Sequence, residues 1–183
     1  METEGTLSSA WDQHLASEFA AKSADQALAT MSAEPYVNEV PLMIGARGRA
    51  ELRDFYANIF LSQIPTDMEM VTVSRTIGQG RVVDELIARF THSIRMDWLL
   101  PGIAPTGKRV ELPFVVIEQF EGDKMAHEHL CWDQASVLVQ VGLLDRTLPV
   151  RGGETAAQVL NPTQPMNELI RHTANTTGDR RPR

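Results

Sequence analysis

Near Pro65 the hydrophobic pattern of this chain changes its period from about four to two, and that switch limits the possible architectures more than any other feature. Before it, Trp11, Leu15 and Phe19 recur every fourth residue behind Ser8 or Ser9 as helix cap. Ser23 with Gln26 resembles a capping box for a short second helix through Ala27, Leu28 and Met31. Residues 36–40 read as a short strand. Leu52, Phe55, Tyr56, Ile59 and Phe60 then make one apolar stripe over residues 49–64, which Pro65 ends. After the switch, residues 68–77, 81–98, 108–120 and 124–132 alternate as strands. Turn-forming Gly78-Gln79-Gly80, the segment 101–107 and Glu121-Gly122-Asp123 separate them. Four successive strands joined by turns predict an antiparallel meander. Asp133 opens a last helix, with Val137, Leu138, Val141 and Leu144 as its apolar positions. Helices first and a curved sheet afterwards define an α+β fold.

The length of 183 residues allows one domain with a tail. The domain is expected over residues 1–148. Residues 149–183, rich in Gly, Thr, Asn, Gln, Arg and Pro, read as a tail, flexible or packed on the domain or on a partner subunit, with one or two helical turns over residues 166–172. Residues 1–145 carry 11 Lys/Arg against 21 Asp/Glu, an acidic body that argues against nucleic acid. A single cysteine, Cys131, excludes an internal disulfide and suits a reducing cytoplasm. The acidic N-terminus lacks the pattern of a signal peptide, and no apolar run is long enough to span a membrane. A cytoplasmic location is therefore expected.

Alternation sorts the strand residues by face. Leu112, Phe114, Val116 and Glu118 share one face of their strand, and Asp84, Leu86, Ala88, Phe90 and His92 share one of theirs. On the last strand Glu128, Leu130 and Trp132 oppose His127, His129, Cys131 and Asp133. The sets holding the larger apolar residues are assigned to a hollow under the helices. Glu128, Leu130, Trp132, Leu112, Phe114, Phe90 and His92 thus face it.

Several strings in this order resemble the SnoaL-like polyketide cyclases of the nuclear transport factor 2-like superfamily. They are Pro35-Tyr36-Val37-Asn38, Gly45-Ala46-Arg47-Gly48, residues 102–108, residues 124–133 and Gln140-Val141-Gly142. The resemblance covers roughly residues 8–145. It implies a cone-shaped (cystatin-like) fold, N-terminal helices packed on a curved antiparallel sheet around a ligand pocket, and a homodimer. The related limonene epoxide hydrolases also carry a Tyr-x-Asn before a Pro, like Tyr36 and Asn38 here. Their Asp-Arg-Asp set falls on Leu86, Ala88 and Leu130, none of which transfers a proton, so that mechanism is not expected. The catalytic Asp of the cyclases, if it matches the same place, is also replaced by Leu130, leaving Glu128 or Asp133 to substitute.

The expected function is a cofactor-independent, SnoaL-like enzyme of cyclase, isomerase or hydrolase type. It would use acid/base chemistry on a small, mostly apolar carbonyl compound. The alternative is a non-catalytic binding protein for a hydrophobic metabolite. Glu128, among apolar neighbours that raise its pKa, is the candidate acid/base, with His92 as its partner. The bland readings are a rim salt bridge for Glu128 and a wall position for His92. Asp133 matches an Asp of the family pattern and is equally an N-cap for the last helix. Tyr36 and Asn38 would hold a substrate oxygen, or pack in the core. Phe90, Leu112, Phe114, Leu130 and Trp132 would line the pocket. His127, His129 and Cys131 share a face, but a full ligand set for a metal is not visible, so no metal and no cofactor are expected.

Overall fold

The computed structural model describes residues 4–171. Helix α1 (Glu4–Leu15) runs on into one wide π-type turn, Ala16–Ala20, and α2 (Ala24–Ala29) follows, its N-terminus capped by the Ser23 hydroxyl. Strands β1 (Met31–Glu39) and β2 (Ile44–Arg47) lead into α3 (Arg49–Phe55), which widens over Tyr56–Phe60 and tightens over Leu61–Gln63 before Pro65. Then come β3 (Glu69–Gly78), β4 (Arg81–Thr91), β5 (Arg109–Glu121), β6 (Lys124–Trp132), α4 (Gln134–Gln140) and α5 (Glu154–Leu160). The six strands form one sheet in the order β2-β1-β6-β5-β4-β3. The core lies between the sheet's inner face and the helices, where Trp11, Leu52, Phe55 and Tyr56 meet Leu86, Phe90, Leu112 and Phe114.

The meander β3 to β6 is antiparallel, as the turn spacing predicts. The sheet as a whole is mixed, because β1 lies parallel to β6. Two boundaries also move. Met31, predicted to end the second helix, begins β1, because its side chain is buried against the sheet (Met31 pairs Met125). The strand predicted over 81–98 stops at Thr91. Beyond it Met96, Trp98, Leu99 and Leu100 turn off the sheet into the core, where the Trp98 indole N–H donates to the Gln63 carbonyl at 3.1 Å. Their polar neighbour Asp97 is tied to Gly102 and to Gln63, so the loop docks on the end of the α3 segment.

Part of the predicted tail is packed on the domain. Ala156 of α5 is fully buried, and α5 packs against β5; Gln140 of α4 is tied to the same strand, accepting from the Glu111 N–H at 2.8 Å and donating to its carbonyl at 3.0 Å. Residues 168–171 make one helical turn, while His172 and the rest of the tail lie outside the described residues. Among the described residues no helix is long and apolar enough to cross a membrane.

One buried network fixes α1 across the sheet. Asp84 on β4 is fully buried and takes a two-pronged ion pair from Arg75 on β3, at 2.7 and 2.8 Å. The same carboxylate accepts the Trp11 indole N–H at 2.9 Å. Arg75 reaches past it to Asp12 (2.8 Å) and Ser8 (2.9 Å), so three residues of α1 converge on one strand pair. Removing one partner strands a buried charge, which costs about 3–5 kcal/mol. Arg75→Met is therefore expected to destabilise the fold by about that amount in denaturant unfolding. Asp84→Asn with Arg75→Met should restore part of the loss.

Candidate functional site

Beneath α1 and α3 the sheet carries a cavity of two adjoining lobes, each of about 40 Å³. Trp11, Phe19, Phe55, Tyr56 and Phe60 wall the first lobe, and Val37, Leu86, Val116, Glu128 and Leu130 supply its floor. Glu18 and Glu39 also line it. The second lobe is apolar throughout, between Ile64, Met68, Ala88, Trp98 and Phe114. Strand register explains the floor: Val37 pairs Glu128 and Glu39 pairs Leu130, and on the other side Leu130 pairs Val116 and Glu128 pairs Glu118. Residues level with one another on one face form a row, and two neighbouring rows here bring three carboxyl groups together, Glu128 and Glu118 in one and Glu39 in the next.

The remaining parts come from the helices. His14 and Glu18 lie one turn apart on α1 and its extension, 3.0 Å from Nε2 to Oε1. Ligating atoms of His14, Glu18 and Glu128 all lie within 4.8 Å of one another, and all three residues are buried. The tautomer of His14 follows from its second-ring neighbour. Thr30 Oγ1 gives its one proton to the Ala27 carbonyl at 2.6 Å, so it must accept from His14 Nδ1, also at 2.6 Å. His14 Nε2 is thereby turned to Glu18 and to the Tyr56 hydroxyl at 3.4 Å.

Electrostatics follow from burial. Burial alone lowers the His14 pKa, but the charge and hydrogen bond of Glu18, with help from Glu128, more than offset it and raise it overall. Glu128 is pushed up to about 8, first by burial and then by the Glu18 charge, with His14 pulling the other way. Glu39 is held well above the usual carboxylate range by burial and by its neighbours Glu128 and Glu18. Burial also pushes Glu118 up to about 10, with Glu128 and Asp84 adding to it. The Tyr56 phenol is raised for the same reasons and remains an O–H donor. A carboxyl that half-titrates near neutrality beside an imidazole can give or take a proton without a large driving-force penalty.

The predicted site residues divide. Glu128 lines the cavity, as do Leu130 in both lobes and Phe114 in the second. Phe90 and Leu112 are fully buried on the expected face but line neither lobe. Trp132 is half-buried, its ring against Phe114 and its indole N–H on Gln134 (2.7 Å). Four assignments need correction. His92 is no partner of Glu128: the β4 residue level with Glu128, through Glu118, is Val82, and His92 lies on the order of 30 Å of strand further along. Its ring instead takes the Thr106 N–H at 3.3 Å, holding the loop after β4. Asp133 is exposed and caps α4, accepting from Ala135 and Ser136 at 2.9 and 3.2 Å. Tyr36 and Asn38 pair with His127 and His129 on the outer face, where the Tyr36 hydroxyl meets His129 Nε2 at 2.7 Å and its ring stacks on His127. The inward residues of β1 are Val37 and Glu39, one step out of phase with the choice made from the Tyr-x-Asn string.

His14, Glu18, Glu39 and Tyr56 are the site residues that sequence reasoning missed. A signal existed for the first two. The α1 stripe of Trp11, Leu15 and Phe19 widens, at helical spacing, to positions 14 and 18, so a His and a Glu fall on the buried face. Glu39 alternates with Val37 in the same way.

A family model for the SnoaL-like domain matches residues 11–128 of the chain. No curated protein matches it. Among solved structures, TsrD from Streptomyces laurentii is 14% identical with a TM-score of 0.62, over 79% of this chain and 100% of that one. A protein assigned to the SnoaL-like polyketide cyclases from Jannaschia sp. CCS1 is 13% identical with a TM-score of 0.61, over 79% and 99%. The epoxide hydrolase/cyclase-like enzyme SalBIII, of pyran ring formation in the polyether salinomycin, is 15% identical with a TM-score of 0.56, over 73% and 95%. At such identities the likeness establishes a shared fold.

The buried carboxyls make stability depend on pH in a defined direction. Glu128 and Glu118 have folded-state pKa values above the ordinary value of 4.5, so the stability they contribute is complete below about 4.5. It is lost as pH rises through about 8 for Glu128 and about 10 for Glu118. Each such group costs up to about 1.4 kcal/mol per pH unit within its window. The melting temperature is expected to fall between about pH 5 and about pH 9, and Glu118→Gln should flatten that fall. An unchanged slope in the variant would exclude Glu118 as a source.

Proposed function

This chain belongs to the SnoaL-like domain family, and on that premise we propose that it is a small-molecule enzyme of cyclase/isomerase type whose hollow moves a proton by way of Glu128. The observation that carries the reading is one carboxyl, 5% exposed and with its pKa raised to about 8, on the floor of an aromatic-walled cavity and within 4.8 Å of an imidazole–carboxylate pair. Acid/base catalysis asks for such a group near the working pH. In its ionised form Glu128 accepts a proton from carbon next to a carbonyl. The Tyr56 O–H, kept protonated by burial and lining the same lobe, donates to the oxygen on which charge then develops. His14 and Glu18 set the charge that faces Glu128 and so its readiness to ionise. Leu86, Ala88 and Leu130, which line the same hollow, stand where the Asp-Arg-Asp set of the limonene epoxide hydrolases would fall, and this favours isomerisation or cyclisation through an enolate over epoxide hydrolysis by that mechanism.

The reading is open to test without knowledge of the natural substrate. Small enolisable ketones are incubated with the protein in deuterium oxide, and loss of the proton next to the carbonyl is followed by NMR. Exchange should rise with pH to a plateau above about 8, the value at which Glu128 ionises. Glu128→Gln should slow it by about 100-fold or more without lowering the melting temperature. Exchange that is as fast in the variant removes Glu128 from the chemistry.

A further inference from the structure

The charges that face the hollow do not balance. Glu18, Glu39 and Glu128 line the first lobe, while no Lys or Arg lines either lobe among the described residues. From α1 the facing groups are His14 and Glu18, which pair with each other at 3.0 Å. From α3 the phenol of Tyr56 faces in, from β6 Glu128, and next to it on β5 Glu118. Arg75 on β3 is committed to Asp84 and Asp12. Glu39 of β1 is therefore left without a counter-ion: it is 1% exposed, and its Oε2 has no hydrogen-bond partner. An orphaned buried carboxyl is costly, and such cost persists where a ligand relieves it.

We propose that the ligand of this hollow is an organic amine that also carries the carbonyl on which Glu128 acts, bound with its ammonium group at Glu39 and its uncharged apolar body in the second lobe. The proposal rests on the reading that the hollow is the ligand site and names the class of ligand. An ammonium supplies the N–H donors and the positive charge that Glu39 lacks. The aromatic rings of Trp11, Phe55, Tyr56 and Phe60 line the same lobe, a wall that suits a cation. The second lobe has no charged wall residue and takes the hydrocarbon part. A bare metal ion on His14, Glu18 and Glu128 is the rival occupant, but it would leave both Glu39 and the apolar lobe unused.

Trp11 stands in one lobe and Trp98 in the other, so intrinsic fluorescence reports occupancy of either. Titrations compare 3-methylbutylamine with its neutral analogue 3-methylbutan-1-ol near neutral pH, with calorimetry as a second readout. The amine is expected to bind at least about tenfold more tightly than the alcohol. Glu39→Gln, which keeps the shape of a protonated carboxyl, should abolish that preference by weakening amine binding to the level of the alcohol, without lowering the melting temperature. Equal affinity for the two, response to neither, or a preference that survives Glu39→Gln overturns the proposal. Binding of zinc(II) or manganese(II) chloride in place of the amine overturns it in favour of the metal. Glu128-dependent proton exchange without amine preference leaves the proton-transfer reading standing and removes only the ligand class. Amine preference without exchange does the reverse.

Discussion

The ion pair between Arg75 and Asp84, with the Trp11 indole on the same carboxylate, is the contact on which the arrangement of this molecule depends. It joins two strands of the meander to a helix more than sixty residues away in the chain. Without it α1 would have apolar burial and the His14–Thr30 hydrogen bond to set its angle across the sheet, and apolar contact is indifferent to a rotation of one side-chain position. Hydrogen bonds are not. Because Trp11, Asp12 and Ser8 are held to named atoms, the face that carries His14 and Glu18 is turned to the sheet at the level of Glu128.

That placement creates a small region of concentrated charge in an otherwise apolar interior. Glu18, Glu39, Glu118 and Glu128 are all buried, and the buried imidazole of His14 faces them with its pKa raised by Glu18. A core built only for stability would place apolar residues there, since burial of carboxyls stabilises nothing by itself. Their presence at one end of an aromatic cavity is the kind of local conflict that marks a functional site. The same fold hosts several chemistries, so the argument for function rests on these groups and not on the architecture.

The fate of the individual site predictions shows where sequence reasoning has purchase. Alternation along β6 put Glu128, Leu130 and Trp132 on one face and His127 and His129 on the other, and the register with β5 agrees. For β1 the same rule offered two phases, Tyr36/Asn38 or Val37/Glu39, and the Tyr-x-Asn string pointed to the wrong one. Alternation states which residues travel together but not which set faces inward. For His92 the phase was right and the distance was not: position along a strand depends on the stagger of its neighbours, which two-residue periodicity does not contain. Asp133 was ambiguous between acid and cap, and two backbone N–H groups within hydrogen-bond reach decide for the cap.

What the sequence by itself determined is local: the change of period at Pro65, the turns at Gly78-Gln79-Gly80 and Glu121-Gly122-Asp123, the cap at Asp133, and hence the helices and the meander. Each follows from dihedral preference and side-chain spacing within a few residues. The tertiary structure alone decided that β1 runs parallel to β6, which phase of β1 faces the hollow, and that His14, Glu18 and Glu128 meet. Those facts belong to pairs of elements separated by tens of residues. They are set by burial and by buried ion pairs that form only once the layers close, and no local pattern encodes the partner.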